Sequence, residues 1–139
     1  MPATKTTDKN FSIKTTYVVY ASPEKVFEAL TDPGIIAAWG GGLSVVENKV
    51  GGRFEMFDGW VKGEVKTFKP GKELSHTWKP EEWKNKISPS LVTYKLHAHP
   101  AGTEIVFEHT DLPSQEEADK HTSGWVDFIF EPLNEYFTL

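Results

Sequence analysis

The chain has 139 residues, 15 basic and 20 acidic side chains, a formal charge of −5 and no cysteine. That length suits one domain burying about two-thirds of the surface its unfolded chain exposes, and the missing thiols exclude disulfides, cysteine zinc sites and a thiol nucleophile. The acid excess argues against binding of nucleic acid or an anionic membrane, while five tryptophans beside nine phenylalanines and four tyrosines make an unusual aromatic load.

Residues 1–10 are polar with no apolar stretch and read as a flexible tail, not a signal peptide. A single domain is expected over residues 11–139. The longest uncharged apolar run, Ile35–Trp39, is too short to cross a bilayer, so a cytoplasmic location is expected. Phe11–Tyr20 alternates and predicts a half-buried strand. Ser22-Pro23 and Asp32-Pro33 are cap-plus-proline starts of two short helices, the second ending at Gly40-Gly41-Gly42. Strands follow at Leu43–Val50, Arg53–Asp58, Trp60–Lys69 and Glu73–Lys79, separated by Gly51-Gly52, a tight turn at Asp58-Gly59, and Pro70-Gly71. A polar excursion from Pro80 to Pro89 carries Trp83. Ser90–Ala98 and Thr103–Thr110 form a last hairpin. From Ser114, a capping box with Glu117 opens a helix. Its apolar stripe includes Ala118, His121, Trp125, Phe128, Ile129 and Leu133, and Pro132 should bend it. About seven antiparallel strands and one long helix give an α+β fold, the curved sheet wrapping the helix.

The run Ala21–Pro33 with Trp39 resembles the opening of the START-like, helix-grip superfamily. More narrowly, Val50-Gly51-Gly52-Arg53-Phe54, Gly63-Glu64-Val65, Leu74–Trp78, Gly102-Thr103-Glu104 and Gly124-Trp125 through Leu133 resemble the domain named for the activator of the heat-shock-protein-ninety ATPase (the Aha-type family). The resemblance covers Phe11–Phe137. It implies a β-α-α-β6-α fold and three functional expectations: a binding protein for a small apolar or amphipathic ligand, a chaperone-cofactor module acting on another protein, or a small cyclase- or hydratase-like enzyme.

Strand alternation sorts the candidate site residues. Asp58, His76 and His109 have core parity and are the candidates for acid–base chemistry, although no catalytic residue is assigned. The same positions also suit a turn-capping Asp and strand-end histidines. Met56, Trp60, Trp78, Phe107, Trp125, Phe128 and Ile129 are the expected ligand walls, with His76 and His109 as polar contacts. Trp39, Trp60 and Trp83 lie near glycine turns or in a polar segment and are expected to rim an opening. His97 and His99 have a spacing that zinc or copper can use. They lack a third ligand and read as a surface pair, so no metal and no cofactor are expected. Residues 101–139 sum to −8, leaving +3 for the first hundred, with seven lysines from Lys62 to Lys86. Two solvated faces, or a dipolar surface that orients a charged partner, are the alternatives.

Overall fold

The computed structural model describes residues 11–83 and 87–138; the expected N-terminal tail lies outside the described residues. The elements are β1 (Phe11–Val19), α1 (Pro23–Thr31), α2 (Pro33–Trp39), β2 (Val45–Val46), β3 (Arg53–Met56), β4 (Val61–Lys69), β5 (Glu73–Pro80), β6 (Ser90–His99) and β7 (Gly102–Leu112). A C-terminal helix follows as α3 (Gln115–Gly124), a π-helical turn (Trp125–Phe130) and α4 (Glu131–Thr138). The sheet is antiparallel in the order β1-β7-β6-β5-β4-β3-β2. The N-terminal strand therefore closes against the last one, and the helix lies in the concavity. This is the helix-grip fold. Among the described residues no helix is long and apolar enough to cross a membrane.

The caps behave as their chemistry dictates. Ser22 Oγ accepts from the Lys25 N–H, Asp32 Oδ1 from Gly34 and Ile35, and Ser114 Oγ from Glu117. Gly40 ends α2 in the left-handed region, φ 109°. The capping box is only half made, because the Glu117 carboxylate turns to Trp83 and Lys120 instead. Gly63 marks a close approach of strands: a Cβ there would collide with the backbone of Thr77.

Three sequence expectations change. The strand expected over Leu43–Val50 is only Val45–Val46, since Asp58 and the Lys49 turn fold its two ends into loop bonds. The Asp58-Gly59 turn is longer than a two-residue hairpin, with Phe57, Asp58 and Gly59 all at positive φ. The C-terminal helix widens rather than breaks. Pro132 cannot donate to Phe128, and at the residue just before it the Glu131 N–H bonds the Val126 carbonyl, five residues back.

The basic and acidic halves meet on the outer sheet at Lys14 and Glu108, while acids within the first hundred residues offset bases of the same stretch. Across the outer sheet surface Arg53 stands opposite Glu64, Glu55 opposite Lys62, Glu73 opposite Lys95, and Lys14 opposite Glu108. Cross-strand pairing thus sets opposite charges side by side on the outer surface. The remaining acid excess sits on the C-terminal helix, where Glu116, Glu117, Asp119, Asp127, Glu131 and Glu135 face one base, Lys120.

Candidate functional site

Beneath the C-terminal helix the tryptophans build a bonded cluster. Trp125, at the start of the wide turn, donates its indole N–H to His109 Nδ1 on β7 at 2.9 Å. An indole nitrogen can only donate, so Nδ1 carries the lone pair and the proton is on Nε2. That N–H meets Ser90 Oγ at 2.8 Å, and the Ser90 hydroxyl donates to the Trp78 carbonyl, also at 2.8 Å. Trp78 in turn donates its indole N–H to His121 Nε2 at 3.1 Å, and His121 Nδ1–H donates to the Glu117 carbonyl. Strands β5, β6 and β7 are thereby tied to the helix through side chains. Ring contacts reinforce this, with centroids 4.8 Å apart for Trp78–Trp125 and 4.5 Å for Phe107–Trp125.

Burial keeps these imidazoles neutral. His109 is fully buried, and desolvation, aided by the nearby His121 and His76, pushes its pKa down to about 2. Desolvation lowers His76 to about 4 against the opposing pull of the Thr77 carbonyl. His121 is also lowered by burial, partly offset by Glu117. His76 stacks on Phe54 at 3.6 Å, and its Nε2 has no hydrogen-bond partner among the described residues. The Ser90–His109 pair has the spacing of a nucleophile and base but the opposite polarity, since His109 is the donor. Asp58 is exposed, and its carboxylate accepts the Leu43 N–H at 2.8 Å. The structure brings no carboxylate of Asp58 to either buried histidine.

Above the cluster lies a groove of about 180 Å³, open on one side. Its walls come from Phe57 and Trp60 at the β3–β4 turn and from Trp78 and Pro80 on β5. The helix supplies Trp125, Phe128 and Ile129, together with the polar Glu117 and His121. Phe128 is 64% exposed and stands at the mouth. Of the expected walls, Trp60, Trp78, Trp125, Phe128 and Ile129 meet here. Phe107, His76, His109 and Met56 lie outside the lining, in the packed interior behind it.

Trp39 does not rim an opening: it is 5% exposed, its indole bonded to the Ala29 carbonyl between α1 and α2. Trp83 is likewise buried, with its N–H on Glu117 Oε1. Only Trp60 keeps the expected position, its N–H on Glu82 Oε1 at 2.6 Å. His97 faces Glu104 across the β6–β7 ladder, and His99 Nδ1 accepts from Ala101 N–H. Sequence reasoning missed Phe57, Glu82, Glu117 and His121 as lining residues. The Glu117–His121 spacing of four on one helix face was the available signal.

The comparisons agree with this architecture. A protein from Mesorhizobium loti superposes with a TM-score of 0.78 at 28% identity, covering 91% of this chain and 96% of that one. An HSP90 activator from Plasmodium falciparum gives a TM-score of 0.70 at 26% identity, over 88% of this chain and 91% of the other. The activator of 90 kDa heat shock protein ATPase homolog of Dictyostelium discoideum is 24% identical over 138 residues, 99% of this chain and 35% of its own length. Homolog 1 of Mus musculus is 26% identical over 126 residues, 91% of this chain and 36% of its own length. The chain spans about a third of the length of these curated relatives. A family model described as activator of Hsp90 ATPase homolog 1-like protein matches residues 20–138, and the chain belongs to that family.

Proposed function

We propose that this protein holds a small apolar or amphipathic molecule in the groove between β5, the β3–β4 turn and the C-terminal helix, in the cytoplasm. The observation that carries the reading is the groove itself, about 180 Å³ with aromatic walls on both sides and an exposed phenylalanine at its mouth. An apolar cavity of roughly 150 Å³ holds one benzene ring in another protein. The occupant is accordingly of one- or two-ring size rather than a long lipid. The π-helical turn supports the reading, because it sets Trp125 and Ile129 toward the groove while Phe128 projects outward, and such turns concentrate at functional sites. Titration with an environment-sensitive apolar dye tests it. Saturable enhancement that competes with small arenes and weakens in Trp60→Ala is expected; a response equal in the wild type and the variant overturns the assignment.

The second reading is binding to a chaperone, favoured by the 26% identity with the Plasmodium falciparum HSP90 activator over nearly the whole of both chains. Purified protein would then raise the ATPase rate of HSP90. Its capture by the chaperone would weaken with added salt and in Lys62→Glu and Lys66→Glu variants. Retention that ignores ionic strength rules out the electrostatic form of this reading.

A further inference from the structure

We infer that the occupant of the groove is an organic cation, a small aryl- or alkylammonium free in solution, in preference to a neutral or anionic amphiphile. This rests on the ligand reading above and narrows its chemistry. The polar capacity left in the groove leans to the acidic side, two carboxylates against one ammonium. The indole N–H groups of Trp60, Trp78 and Trp125 are already committed to Glu82, His121 and His109. His121 is committed too, receiving at Nε2 and donating at Nδ1. What faces a ligand is therefore the π surface of these rings and of Phe128, together with the carboxylates of Glu82 and Glu117 and the ammonium of Lys120.

Aromatic faces carry the negative part of a ring's quadrupole and attract a cation. An ionised carboxylate is acceptor-only and retains several lone-pair sites when one is used. Among the described residues Lys120 is the one cation of the lining, and it is paired to Glu117 Oε2 at 3.3 Å. Trp60 and Trp83 hold the two carboxylates in place by their N–H groups, so neither must be ordered when a ligand arrives. An ammonium beside Glu82 and Glu117 with its ring between Trp60 and Trp125 satisfies every one of these groups. A ligand carboxylate would meet two like charges and no free indole donor, against one ammonium, Lys120, that is already paired to Glu117.

Three probes built on the same phenylethyl skeleton separate the possibilities: phenethylammonium, propylbenzene and 3-phenylpropionate. Each is titrated into nitrogen-15-labelled protein while the indole N–H resonances are followed. Phenethylammonium should bind about tenfold more tightly than 3-phenylpropionate at low ionic strength, moving the signals of Trp60, Trp78 and Trp125 but not Trp39. Glu82→Gln and Glu117→Gln should each reduce that preference about threefold, with the Trp39 signal unchanged as a record of folding. Equal affinity for the three probes, or tighter binding of 3-phenylpropionate, overturns the cation assignment and leaves the ligand reading standing. No indole shift with any probe overturns both.

Discussion

Trp125 gives its indole proton to His109 across 2.9 Å, and this bond sets the protonation of the imidazole as firmly as it sets the rotamer of the indole. The acceptor must be neutral. Every further bond in the cluster, from His109 through Ser90 to Trp78, takes its direction from that donor.

Trp125→Phe should therefore do more harm than its small loss of area. It leaves His109 Nδ1 buried without a partner, at a cost of about 1–3 kcal/mol. Urea denaturation of wild type and variant measures the difference. Equal midpoints would show that the indole bond contributes nothing.

Stability should fall on mild acidification. In the unfolded chain each histidine titrates near its ordinary 6.5, whereas His76 is held at about 4 and His109 at about 2 when folded. Their folded values are depressed, so the unfolded state takes up protons first as the pH drops. Stability is full above 6.5 and is lost progressively below it, down to the folded values. Between pH 6.5 and 5 the two residues together account for about 2–3 kcal/mol. Denaturation at a series of pH values checks this. His76→Phe, which keeps a ring against Phe54, should show a shallower slope, with His109 and His121 still contributing.

Phe128→Ala separates site from core. A side chain 64% exposed contributes little to folding, so stability should change by less than about 0.5 kcal/mol. Dye binding in the groove should nonetheless weaken several-fold. Unaltered binding would place the dye elsewhere.

Gly63→Ala tests a close approach of β4 and β5. The added methyl meets the Thr77 backbone and must separate the strands beside the Glu64–Thr77 hydrogen bond, at a cost of about 1–3 kcal/mol. Thermal melting reads it. A stable variant would mean that the strands can part without penalty.

Much of the architecture was legible along the chain because it depends on near neighbours. Ser22, Asp32 and Ser114 cap helices through N–H groups two or three residues away, and Gly40 stops α2 by its own φ. Alternation placed Trp78 and His76 on the buried face of β5, and the three-four spacing placed Trp125 and Ile129 on the buried face of the helix. Trp39 and Trp83 were misplaced because a nearby glycine or a polar run says nothing of what packs over a ring. The Ala29 carbonyl and Glu117, which receive their indole protons, lie 10 and 34 residues away in sequence.

Periodicity and capping chemistry therefore established which residues share a face, and so established a curved antiparallel sheet gripping a helix. The tertiary structure alone decided the acceptor for each of the five indoles and the neutrality of the buried histidines. It also set Glu108 opposite Lys14 on the outer sheet. The physical reason is one of range. Backbone caps and alternation act over a few residues, whereas hydrogen-bond partners, desolvation and cross-strand charge pairs depend on which distant segments the curved sheet brings together.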